Sequence, residues 1–302
     1  MYRTLVILRH TFLEATLQPI YGFLMILAAA IIIVFGLLPF FALGEDTKMF
    51  MSVTLDVVLL AVLLASLFAA SKSIYDEIED RTMLTLMSKP VQRWQVMVGK
   101  YLGIILSAAV GVVILGAVLV LATWFRIPGD YLLNANTLNE IVSNQIRDYR
   151  LMHISGLLAQ LLLTWLQICV LVAISVALST RFSLIVNLPA VILIYFAGNL
   201  TRFLFPISTG PLADKPAAVK ALAWLLSLLL PYLETFDLKK WTLLSTLKVP
   251  TTSFMTDSHA IGLGTILTGI AVAALYAAAY AAFALCAGMW SFQTRELGGG
   301  EA

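Results

Sequence analysis

Long apolar runs alternate with short polar stretches along the whole chain. Five of them, 20–43, 51–71, 101–124, 151–180 and 261–290, are long enough to cross a bilayer as helices, since a hydrocarbon core about 30 Å thick takes about 20 helical residues. A sixth run, 183–204, is interrupted by Asn187 and Pro189 but stays predominantly apolar. A proline kink is tolerated in a membrane where neighbouring groups satisfy the freed backbone. The run 221–233 (ALAWLLSLLLPYL) is short and has Pro231 near its end. It predicts a re-entrant or surface helix before the last span, a seventh span being the alternative. The pattern as a whole predicts an all-α integral membrane protein with six transmembrane helices and an N-terminal interfacial helix, one domain over 1–302.

The polar stretches carry structure of their own. Within 1–19, Leu5, Leu8, Phe12 and Ala15 recur at helical spacing opposite Arg3, Thr11, Glu14 and Gln18, the pattern of a helix lying in the membrane interface. Within 136–150, Leu138, Ile141, Ile146 and Tyr149 fall along one side, which predicts a short helix outside the bilayer. With six spans and the N-terminus inside, the cytoplasmic segments hold Arg3, Arg9, Lys72, Arg81, Lys89, Arg93, Lys100, Arg181 and Arg295. The other ten of the 19 basic residues fall on the opposite side, most of them in the longer loops 125–150 and 205–260. The excess on short loops points to cytoplasmic termini. In the last run Ala271, Ala274, Ala278 and Ala282 line up, and such small residues admit a close-packed neighbour.

Composition excludes several classes. Hydrophobic residues make up 61% of the chain and charged residues 12%, with a mean hydropathy of +0.95; soluble domains carry about 25% charge. The net charge of +2 comes without a basic stripe, so the expected partner is the lipid bilayer and not nucleic acid. Cys169 and Cys286 lie in apolar runs and read as packing residues. His10, His153 and His259 are scattered, so no metal site is expected. The first residues, with Arg3, Arg9, His10 and Glu14 ahead of the apolar run, do not have the form of a cleaved signal peptide. The one Gly-Lys pair, Gly99-Lys100, is followed by Tyr101. It is no P-loop, which needs G-x-x-x-x-G-K-[ST] to cradle phosphate on backbone amides. The chain is therefore expected to bind no cofactor and to catalyse no reaction itself.

The densest charge lies between the second and third runs, in SKSIYDEIEDRTMLTLMSKPVQRWQVMVGKYLG. Asp76, Glu77, Glu79 and Asp80 precede Arg81, Lys89, Arg93 and Lys100, while Ile74, Ile78, Met83 and Leu86 supply an apolar side. Pro90 should end that helix, and a second should begin near Gln92 and run into the third span. Two short helices meeting at a turn on the membrane surface, over 72–100, suit docking to a soluble partner. A solvated loop that only fixes topology is the plainer alternative.

Glu79, Arg81, Thr82, Leu84, Leu86, Ser88, Lys89, Pro90, Val91, Arg93, Gly99 and Lys100 resemble the first cytoplasmic loop of type-2 ABC exporter permeases. There an acidic residue and a threonine lead through a leucine-rich turn to Ser-Lys-Pro-Val, a basic residue and Gly-Lys. Arg9, Phe12, Glu14 and Pro19 resemble that family's connecting helix, and LLPYLETFDL resembles the outer-loop motif of its copper-enzyme-maturation branch. The resemblance implies a multi-pass permease of the cell inner (plasma) membrane that pairs with a second copy or a related permease. It also implies export driven by a separate ABC ATP-binding subunit, which would hold the ATP and magnesium. The implied coupling loop places Asp76, Glu77, Glu79, Arg81, Thr82, Ser88, Lys89, Pro90 and Arg93 against that partner.

Polar side chains inside the spans are the remaining candidates. Asp56 falls within the second run. A charge in lipid is costly and faces a cavity or a partner, unless the span starts later and Asp56 sits at the interface. Gln160, Gln167, Asn187 and Asn199 either line a pathway or bridge helices. An ion-coupled secondary transporter needs buried carboxylates and broken helices near the midplane, and only Asp56 and Pro189 come close to that. A non-transporting membrane assembly scaffold is the other alternative.

Overall fold

The computed structural model describes residues 2–38, 46–79, 92–132, 140–200, 216, 220, 230–239 and 263–293. Among these are seven α-helices: α1 (Tyr2–Leu17), α2 (Pro19–Leu37), α3 (Asp46–Glu79), α4 (Arg93–Leu132), α5 (Glu140–Ser179), α6 (Leu184–Leu200) and α7 (Leu263–Gln293). A 3₁₀ turn, Leu233–Phe236, precedes α7, and no strand occurs among the described residues. Five helices contain segments long and apolar enough to cross a membrane, and α6 is a shorter apolar one. The predicted all-helical multi-span fold is the one observed.

The most apolar windows of α3 and α5 are each 67% buried, against 22% for α2 and 28% for α7. The first two therefore form the centre of the bundle and the last two its rim. Leu37, Ile185, Leu275 and Trp290 are among the large apolar side chains left on the outside, where lipid costs them nothing. Pro189 does not stop α6. It stands five positions past the helix start, so the hydrogen bond it forfeits is one of the first.

Several boundaries differ from the sequence pattern. Helix α3 continues unbroken from the second span to Glu79, so the acidic residues of the charged segment ride on the span itself. The stretch 140–150 is helical as expected, but it belongs to α5 and not to a separate helix. Helix α4 begins at Arg93, beside the start expected near Gln92. The turn at Pro90, and most of 221–233, lie outside the described residues.

Two helix faces are also corrected. In α1 the buried positions are Thr11 and Ala15, while Leu5 is 62% exposed; Thr11 thus belongs to the inner face and Leu5 to the outer. The cause is α4, against which α1 packs closely. A Cβ at Gly103 would stand 2.8 Å from the Leu8 carbonyl oxygen and from Thr11 Cβ, so only glycine lets the two backbones approach. In α7 the packed alanines are Ala273, Ala277, Ala281 and Ala284, on the side turned to α5, whereas Ala271, Ala278 and Ala282 are exposed.

Two cations bracket the third span. Lys100 Nζ donates to the Ser73 carbonyl of α3 and is buried. At the other end, Arg126 Nη1 donates to the carbonyls of Phe35 (3.1 Å), Gly36 (2.9 Å) and Leu38 (2.9 Å). These are carbonyls that the C-terminus of α2 leaves without helical partners, and a cation there also meets the negative end of the helix dipole. The guanidinium stands 5.0 Å from the Phe50 ring centroid. We call the Lys100 side the loop face and the Arg126 side the far face.

Candidate functional site

A polar cleft opens on the far face. Helix α3 lines it with Leu55, Asp56 and Leu59, α5 with Gln160, Thr164 and Gln167, and α6 with Tyr195 and Asn199; Phe236, Asp237 and Lys239 close it from above. Residues 160, 164 and 167 are spaced i, i+4, i+7, so one stripe of α5 runs down the cleft wall for about 10 Å. Because α3 is already helical at Asp46, Asp56 lies nearly three turns inside the helix. It faces the cleft, and its side chain is 53% exposed.

The segment 230–239 reaches across the cleft and is tied to four helices. Phe236 and Leu233 are fully buried, and Gln160 Nε2 donates to the Phe236 carbonyl at 3.0 Å. The Tyr232 amide donates to the Tyr276 hydroxyl of α7 at 2.7 Å. Against α6, a Cβ at Gly198 would fall 2.8 Å from the Pro231 carbonyl oxygen; the missing side chain is what seats the segment. Finally, Lys239 Nζ pairs with Asp56 Oδ1 of α3 at 2.5 Å. Tyr232 donates its hydroxyl to Glu234 Oε2 at 2.5 Å. Its phenol is pushed up to about 12 by burial and then by that neighbouring carboxylate.

Of the five polar span residues singled out from the sequence, Asp56, Gln160, Gln167 and Asn199 meet in this cleft. Asn187 does not. Its Nδ2 donates to Ser71 Oγ of α3 at 2.7 Å and to Ser175 of α5, at 2.9 Å to Oγ and 3.2 Å to the carbonyl. It is a fully buried helix bridge near the loop face. Bridging also describes Gln160 in part, whereas the Gln167 amide, 7% exposed, has no hydrogen-bond partner among the described residues.

The charged segment is described only at its edges. Asp76, Glu77 and Glu79 lie on the last turns of α3, and Arg93 opens α4. Arg81, Thr82, Ser88, Lys89 and Pro90 lie outside the described residues. Among the described residues no group of three or more His, Cys, Asp or Glu could hold a metal ion.

Sequence reasoning missed Lys239, Asp237, Phe236 and Thr164 as members of a site. A signal existed for the first three: the short apolar run that ends in LLPYL is followed at once by the charged stretch ETFDLKK. Thr164 falls midway between the two glutamines on the same helical stripe.

These features define a multi-span membrane protein with a polar cleft between helices. The model of the ABC-2 family transporter proteins matches residues 24–297, and the chain belongs to that family. Such permeases are the membrane component of ABC transporters, are not themselves catalytic, and imply an ABC ATP-binding partner in general. Comparison with curated proteins gives no matching relative.

Proposed function

We propose that this chain is the membrane half of an ATP-driven exporter, with its termini in the cytoplasm, acting in the inner membrane as a homodimer or with a related permease. The observation that carries the reading is the family match over 24–297, in a sequence with no P-loop of its own. ATP and magnesium then belong to a separate subunit. Residues 72–100 are the docking loop, with Asp76, Glu77, Glu79, Arg81, Thr82, Ser88, Lys89, Pro90 and Arg93 at the contact. Because α3 carries the acidic end of that loop and also Asp56, a push on the loop is a push on the cleft wall. The cleft is part of the substrate's route, and Asn187 lies off it. In the copper-enzyme-maturation variant of this reading, the product serves assembly of an extracytoplasmic metalloenzyme.

Purification in mild detergent from the native host tests the reading. A stoichiometric P-loop subunit should co-purify, and Glu79→Ala with Arg81→Ala should leave that complex with ATPase activity no longer stimulated by this chain. A preparation with no ATPase, even after cross-linking, overturns it. Normal cofactor content of extracytoplasmic copper enzymes in a deletion strain removes the maturation variant alone.

A further inference from the structure

The described lining of the cleft is net negative even with Lys239 in place. Among the described lining residues there are two carboxylates, Asp56 and Asp237, and one ammonium, Lys239; the rest are amides, a hydroxyl, a phenol and apolar groups. Lys239 stands at the outer end of the segment 230–239, beyond the part that the buried Leu233 and Phe236 hold in place; the tie of that end to α3 is one ion pair with the half-exposed Asp56, and such a pair contributes little. Asp56 is fixed on a membrane helix and cannot follow that end. When that end swings away, the half-exposed carboxylate is left in a polar cleft, open to another cation. Below it, the nine-tenths-buried Gln167 amide faces the same cleft and makes no hydrogen bond among the described residues.

We infer that Asp56 is a cation-exchange site: Lys239 occupies it while its end of the segment 230–239 is closed, and an ammonium or guanidinium group of the cargo occupies it when that end is open. The Gln167 amide supplies the hydrogen bond that orients the rest of the cargo. This assignment rests on the permease reading above for what passes through the cleft, though not for what binds in it. It makes Lys239 a competitor of the cargo. Removing Lys239 therefore tightens binding, and removing Asp56 abolishes it.

The test uses the full chain with its partner subunit in nanodiscs, with Cys169 and Cys286 changed to serine and Thr164→Cys as the reporter. A charged methanethiosulfonate reagent measures how open the cleft is, and spermidine is the cationic probe. Lys239→Ala should speed labelling about fivefold, the shift that loss of a pair worth about 1 kcal/mol gives. Spermidine should slow labelling of Lys239→Ala, a neutral glycol of similar length should not, and Asp56→Asn should remove the protection. Lys239→Gln serves as a second, milder variant, and the swapped pair Asp56→Lys with Lys239→Asp should return labelling to the slow rate. Equal labelling of wild type and both Lys239 variants, no labelling in any variant, or protection that survives Asp56→Asn each overturns the proposal. ATPase stimulation is read in the same sample. Its loss with protection intact sinks the permease reading and leaves the site, and the reverse pattern sinks the site alone.

Discussion

The same three helices, α3, α5 and α6, meet in two polar places that are built on opposite plans. Near the loop face Asn187, Ser71 and Ser175 interlock as neutral, fully buried groups, with Asn187 of α6 bonded directly to both α3 and α5. On the far face, about 20 Å away along the helices, Asp56, Gln160, Gln167 and Asn199 surround open space; the segment 230–239 spans it, anchored by Leu233 and Phe236, and its outer end is held to α3 by one ion pair. Neutral hydrogen bonds without solvent hold one geometry, whereas a half-exposed ion pair contributes little and is screened. The pair of sites therefore describes a fastened end and a releasable end of one helix trio.

Substitutions can break that contrast in graded steps. The largest effect is expected for Ser175→Leu, which forces bulk between α5 and α6 and strips Asn187 of a partner; a loss of about 2–3 kcal/mol should show in detergent unfolding. Asn187→Leu comes next at about 1 kcal/mol, because interhelical hydrogen bonds in membranes are modest. If it proves as costly as Ser175→Leu, the knot matters more than general packing. Gly198→Val should lift the segment 230–239 from α6 with a smaller shift in unfolding than either, while raising thiol labelling of Thr164→Cys. Smallest is Lys239→Gln, with at most about 0.5–1 kcal/mol in stability, a difference that should shrink as salt is raised. A salt-independent loss above that of Asn187→Leu would reverse the contrast, making the far face the fastened end.

The spans were legible because apolar run length is a local property, and a helix in lipid needs little else. Faces were harder. Thr11 turns inward because Gly103 on another helix makes room for it, which no pattern within 1–19 reveals. In α7 alanines occur at so many positions that spacing alone selects no stripe, and contact with α5 decides it. The cleft residues were recognisable one by one as polar groups in apolar runs. Their meeting was not, since it depends on the register of three helices and on Lys239, which lies 183 positions from Asp56. Asn187 has the same sequence signature as Asn199 and a different role, fixed by its neighbours.

Lys100 and Arg126 also graduate the molecule against its surroundings. They stand 26 positions apart on α4, about 39 Å of rise, close to the 40–45 Å that a bilayer measures with its headgroups. Each is anchored to carbonyls of a different helix, so neither charge can slide to follow the lipid. A membrane of longer acyl chains draws one of them toward hydrocarbon, and one of shorter chains tilts the rod that joins them. Either way the strain reaches α2 through Arg126 and α3 through Lys100. The thickness of the host bilayer thus becomes a setting on the bundle itself.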